Sequence, residues 1–118
     1  MPITRKSAKL KGRDFQIWLK ERIIELFHIE PDEIRTAIGS ENGTDIKMMT
    51  KAARERFPFS IEAKRQEGFA NVYRAYAQAE ANRNGATPIL VLRSNRKPPL
   101  VVMSWEDFLS LTPSKVAG

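Results

Sequence analysis

Asp45, Glu62 and Lys64 are the residues of this chain best suited to do chemistry. Asp45 precedes Ile46 and Met48 in an alternating stretch, and Ser60, Glu62 and Lys64 alternate with Phe59, Ile61 and Ala63, so both segments turn polar side chains to one face. Two carboxylates side by side repel, and the repulsion is relieved by a proton or a cation. Hard oxygen ligands with open water positions suit Mg²⁺ or Mn²⁺, with the backbone carbonyl of Ala63 presented between the two polar side chains. A divalent ion there would polarise a phosphoryl oxygen and lower the pKa of a water, while Lys64 would orient that water or neutralise developing charge. Such a set of parts hydrolyses phosphodiesters. An E-x-K triplet by itself also describes a surface strand with an ion pair. The weight here comes from its conjunction with an acid on the preceding strand and from the cost of an unpaired carboxylate in an apolar strand.

The composition supports the same direction. The 118 residues suffice for one domain (1–118), with 42% hydrophobic and 29% charged residues, as in a packed globular protein. The net charge of +6 favours phosphate backbones through counterion release, with an anionic membrane surface second. Arg5, Lys6, Lys9, Lys11 and Arg13 crowd the N-terminus before the first acid, Asp14, and predict a basic arm over residues 1–11 that orders on DNA. Lys51, Arg54 and Arg56 extend the positive surface, and Arg93, Arg96 and Lys97 suit a phosphate clamp on a turn. The absence of cysteine excludes disulfides, thiol nucleophiles and thiolate zinc sites, and a lone histidine, His28, excludes an all-histidine metal site. No stretch reads as a membrane span or signal peptide, and an intracellular, cytoplasmic location is expected. No nucleotide-binding glycine loop or catalytic triad can be assembled.

Periodicity predicts the elements that must position these groups. A helix from about Gly12 to His28 carries Phe15, Trp18, Leu19, Ile23, Leu26 and Phe27 as its core stripe, with His28 structural at its C-terminus. Strands follow at Ile34–Gly39, Thr44–Met49 and Phe57–Lys64, with a turn at residues 39–43 and a short helix at Thr50–Arg56. A second helix over Gly68–Asn84, strands at Pro88–Leu92 and Pro99–Met103, a helix capped by Ser104 and a loose tail from Pro113 complete the chain. Aromatic Tyr73 and Tyr76 on the second long helix read as core before they read as base-stacking groups. The order predicts an α/β sandwich: an antiparallel meander, then a helical crossover into a parallel strand, giving a central mixed five-stranded sheet flanked by helices.

Gly43-Thr44-Asp45 followed by Ile61-Glu62-Ala63-Lys64 resembles the signature of the PD-(D/E)XK nuclease superfamily, an acid at the start of one hairpin strand and E-x-K on the next. Thr44 replaces the proline of that signature. Lys11-Gly12-Arg13-Asp14-Phe15-Gln16 is similar to the opening of the first helix in small archaeal and phage Holliday-junction resolvases, with Gln16 where those enzymes carry Glu. The resemblance spans about Lys11 to Phe108. It implies a restriction-endonuclease-like fold, metal ligation by Asp45 and Glu62, and a place in the metal shell for Gln16 through water or for Glu21. It further implies a phosphate-contacting Gly39-Ser40 loop, Gln78 beside the site, and a homodimer acting on branched or four-way DNA.

Two function classes follow. One is a Mg²⁺-dependent endonuclease, either structure-selective or of a single-strand or restriction type. The other is a non-enzymatic nucleic-acid-binding module whose carboxylates are structural. In the first class two symmetric nicks call for two protomers, and the apolar residues of the second long helix and of Leu100–Trp105 are the expected contact surface.

Overall fold

The computed structural model describes residues 5–39, 41–65 and 71–111, with side chains in the first helix described from Leu10 onward. The chain runs α1 (Arg5–Phe27), a 3-10 turn (Pro31–Glu33), β1 (Ile34–Thr36), β2 (Ile46–Met48), α2 (Lys51–Arg56), β3 (Phe59–Arg65), α3 (Val72–Ala81), β4 (Thr87–Arg93), β5 (Leu100–Val102) and α4 (Trp105–Leu111). The five strands form one sheet in the order β1-β2-β3-β4-β5. β1, β2 and β3 are an antiparallel meander, β4 lies parallel to β3, and β5 returns antiparallel to β4. The parallel pair requires a crossover, which α3 supplies by packing on β3 and β4. The mixed five-stranded sheet flanked by helices is therefore as the sequence pattern predicts.

Helix α1 begins earlier than predicted. Residues 5–11 are its opening turns rather than an extended arm, because they contain no proline and are dominated by strong helix formers such as Ala8, Leu10 and the lysines. Phe15, Leu19 and Ile23 form its buried face and pack with Ile34, Ile46, Ile61, Ile89 and Val91 of the sheet. Trp18 departs from the predicted core stripe. It is 40% exposed, because the 3.6-residue turn carries it past the edge of the contact made by Phe15 and Leu19. Leu26 and Phe27 at the end of the predicted stripe are exposed as well, although Phe27 meets Phe57 edge-on. His28 follows the helix at φ 53°, and its carbonyl accepts a hydrogen bond from Arg56, the structural role expected of it.

β3 and β4 are buried on both faces, with Ile61, Ile89 and Val91 in the α1-side core and Ser60 and Leu90 on the alternate face. Ser60 Oγ donates to the carbonyl of Asn82 at the end of α3, which ties that helix to the second face. Asn71 caps α3 by accepting from the Arg74 amide, so the helix is shorter at both ends than Gly68–Asn84; residues 66–70 lie outside the described part. Tyr76 proves structural. Its hydroxyl donates to the Pro88 carbonyl and accepts from the Ser104 amide, whereas Tyr73 is exposed. The Ser104 cap of α4 forms as expected, with Oγ accepting from the Asp107 amide at 3.0 Å. The apolar residues that follow this cap are exposed, Trp105, Phe108, Leu109 and Leu111, beside exposed Leu100 and Val101 of β5. Residues 112–118, including the predicted tail, lie outside the described part. No helix among the described residues is long and apolar enough to cross a membrane.

Candidate active site at the free edge of β3

β2 pairs with β3 only as far as Ile46 opposite Ile61, which leaves the β3 edge beyond that point to the segment entering β2. Thr44 clips this segment in place. Its hydroxyl accepts from the Ile61 amide at 2.9 Å and lies 3.0 Å from both the Ile61 and Ile46 carbonyls. The Asp45 amide donates to the Ile61 carbonyl at 2.9 Å, and Asp45 Oδ2 then accepts from the Ala63 amide at 2.8 Å. Amide and carbonyl of one strand residue point to the same side, so the Ala63 carbonyl faces the edge that holds Asp45. Replacing Thr44 by Val keeps the shape but removes the partner of a buried amide. Thr44→Val should cost about 1–3 kcal/mol by denaturant unfolding and loosen Asp45 with it.

Glu62 is buried, at 7% exposure, and Lys64 Nζ lies 3.3 Å from its Oε1. Burial raises the Glu62 pKa, the charge of Asp45 and a shared hydrogen bond with it raise it further, and Lys64 opposes the shift. Burial also raises Asp45, against the lowering effects of the Ala63 amide and Lys64. Asp45, Glu62 and Lys64, picked from alternation alone, thus meet at one place. The two acids are held together at an electrostatic cost.

The pair binds protons more tightly in the folded chain than in the unfolded one, so folding stability falls as pH rises above the ordinary carboxylate range. In chelator, Glu62→Gln should therefore raise the unfolding temperature at pH 8, with the gain shrinking toward pH 4. Thermal melts at the two pH values measure this, and a variant less stable than the parent at pH 8 would contradict it.

Asp45 also lines a cleft of about 560 Å³ with Gly12, Arg13 and Gln16 of α1 and with Ala37, Gly39 and Glu41. Gln16 thus shares a cleft with Asp45, while Glu21 is exposed and lies well around the helix from Gln16. The sequence reading misses Glu41. Its carboxylate takes both Arg35 guanidinium nitrogens at 2.9 and 2.8 Å, which holds its pKa down at about 2. Glu41 is thereby committed to a loop ion pair. Lys47, also missed, donates to the Asn42 carbonyl at 2.9 Å and lowers the Asp45 pKa. The hairpin turn between Arg35 and Lys47, register partners in the sheet, carried the available signal for this cluster.

Other predicted groups lie elsewhere. Gln78 is exposed on the flank of α3 and has no hydrogen bond to the acidic pair among the described residues. Lys51 and Arg54 are on α2, at the end of β2 opposite Asp45, with Lys51 4.0 Å from Glu55 and Arg54 donating to the Met48 carbonyl. Arg93 Nε donates to the Lys97 carbonyl at 3.1 Å, and Arg96 occupies the same turn at φ 61°. Lys11 and Arg13 are on α1 with described side chains, and those of Arg5, Lys6 and Lys9 lie outside the described part, as does Ser40. Among the described residues no three His, Cys, Asp or Glu side chains gather as a metal cluster. The donors present are two mutually repelling carboxylates, a backbone carbonyl facing the same edge and the neutral Gln16 across a cleft. This set suits a hard divalent ion that keeps several waters. No protein-family model, curated protein or solved structure matches this chain.

Proposed function

We propose that the protein is a Mg²⁺- or Mn²⁺-dependent endodeoxyribonuclease with a restriction-endonuclease-like core, of the PD-(D/E)XK type. The observation that carries the reading is the Asp45–Glu62 carboxyl pair, held against its own repulsion at a strand edge with Lys64 3.3 Å from Glu62. A divalent ion bound there would supply Lewis acidity to a phosphoryl oxygen and acidify water. Asp45, Glu62 and the Ala63 carbonyl would hold it, with Gln16 reaching it through water. Lys64, about one-third exposed, has donors free beyond its contact with Glu62 and carries its charge where a cleaving phosphate becomes more negative. The Ala63 amide fixes Asp45 in place, so little reorganisation is needed.

The net charge of +6 fits a polyanionic substrate, and the exposed apolar surface of β5 and α4 fits a twofold contact between two protomers on branched DNA. The test is an assay of purified protein with Mg²⁺ on labelled four-way junction, duplex and single strand in parallel. Divalent-dependent cleavage with preference for the junction is expected. Binding that never leads to cleavage, with or without Mg²⁺, would leave a nucleic-acid-binding module.

A further inference from the structure

A second cleft, of about 280 Å³, lies beyond the C-terminal ends of the parallel strands β3 and β4 and is lined by Lys11, Asp14, Phe15, Trp18, Arg65 and Arg93. Arg65 and Arg93 are register partners, and they continue the α1 side of their strands past the apolar core of Ile61, Ile89, Ala63 and Val91. Arg65 donates to the Asn95 side chain and Arg93 to the Lys97 carbonyl; each contact fixes a guanidinium through part of its donors and leaves the rest. Among the described residues, no carboxylate lies within ion-pair distance of Lys11, Arg65 or Arg93. Three cations therefore share the cleft with a single acid, Asp14, and none of the three is ion-paired to it. Trp18 stands beside them, 40% exposed, braced by Phe15 in a stacked contact at 6.4 Å, with the Arg93 and Arg22 guanidinium groups each 5.9 Å from its ring centre, contacts that a base would share or displace.

A flat aromatic surface next to converging cations has the chemistry to hold a base and a phosphate together. We propose that this cleft is a subsite for one unpaired nucleotide of a DNA strand, its phosphate on Arg65, Arg93 and Lys11 and its base against Trp18. A base within a duplex has both faces covered by its neighbours, so the subsite selects single-stranded or branched DNA over continuous duplex. Arg65 follows Lys64 directly along β3 but faces the other side of the sheet, so a DNA strand seated here reaches the candidate active site only by passing around this end of the strand. Only this last point rests on the nuclease reading.

The experiment uses full-length protein carrying Trp105→Phe, which leaves Trp18 as the only indole, in chelator so that no cleavage occurs. A hexathymidylate single strand should quench Trp18 fluorescence saturably, and a blunt duplex of equal charge should not. Trp18→Leu, which keeps an apolar contact with Phe15, should weaken hexathymidylate binding, read by anisotropy of a labelled strand, by about tenfold. Arg93→Gln should lower the log-log salt slope by about 0.7, one single-strand phosphate contact. Equal quenching by duplex and single strand, or unchanged affinity in Trp18→Leu with the fold intact by circular dichroism, overturns the subsite. Parallel Mg²⁺ assays separate the two readings: cleavage without selective quenching defeats the subsite alone, and selective quenching without cleavage defeats the nuclease alone.

Discussion

Glu62→Gln and Asp45→Asn should each reduce DNA cleavage by about 10³-fold or more while binding to the same DNA is kept or strengthened. On the proposed nuclease reading, loss of a charge that would hold a divalent ion forfeits several kcal/mol of transition-state stabilisation, and each 1.36 kcal/mol is a factor of ten in rate. Binding moves the other way because a carboxylate beside a phosphate repels it. Thermal melts of both variants separate lost chemistry from unfolding, and Glu62→Gln is expected to be at least as stable as the parent at neutral pH, because burial and the charge of Asp45 raise the Glu62 pKa. Single-turnover cleavage with excess protein, alongside gel-shift affinity in chelator, measures both quantities. A variant that cuts at the parent rate would remove the assignment of the site.

The second large effect belongs to Lys64. Lys64→Ala should lower single-turnover cleavage by about 10²- to 10³-fold with little change in affinity, as expected for a donor that acts on charge present only in the transition state. Lys64 also opposes the raised pKa values of Glu62 and Asp45, so its removal shifts both carboxyls further upward. The residual activity of the variant should accordingly need a higher pH than that of the parent. A variant with weakened binding and normal turnover would mark Lys64 as an ordinary phosphate contact.

The meeting of Asp45, Glu62 and Lys64 was legible because it is local. Asp45 directly precedes β2 and Glu62 and Lys64 lie on β3 of one meander, and alternation places polar side chains on a face whatever the rest of the chain does. The mixed sheet was legible for a related reason, since short connections leave few ways to join three strands and a long helix calls for a parallel pairing. What alternation does not encode is which element covers which face. Trp18 belongs to the same helical stripe as Phe15 and Leu19, and only the width of the sheet beneath α1 decides that it stands at the rim. The same holds for α4. Its apolar residues are spaced for a core, yet the sheet ends at β5, and no further strand among the described residues lies beyond it. Glu41 and Lys47 were missed because their roles come from a loop conformation, where Gly39 and Gly43 take positive φ and bend the chain back on Arg35.

The strands lie in space in the order in which they occur along the chain, and only one of their pairings joins segments distant in sequence. The hairpins β1–β2 and β4–β5 and the β2–β3 pair close over short stretches of chain, so each can form early and at modest entropic cost. The β3–β4 pair must wait until α3 has brought the chain back across the sheet. This single long-range closure should set the folding rate. Disruption of the Asn71 cap of α3 should then slow refolding, and damage to exposed α4 should mainly hasten unfolding. The same order of events places the acidic pair, complete within the meander, in the early-folding part, while the cationic cleft between α1 and the ends of β3 and β4 is finished only when the last closure is made.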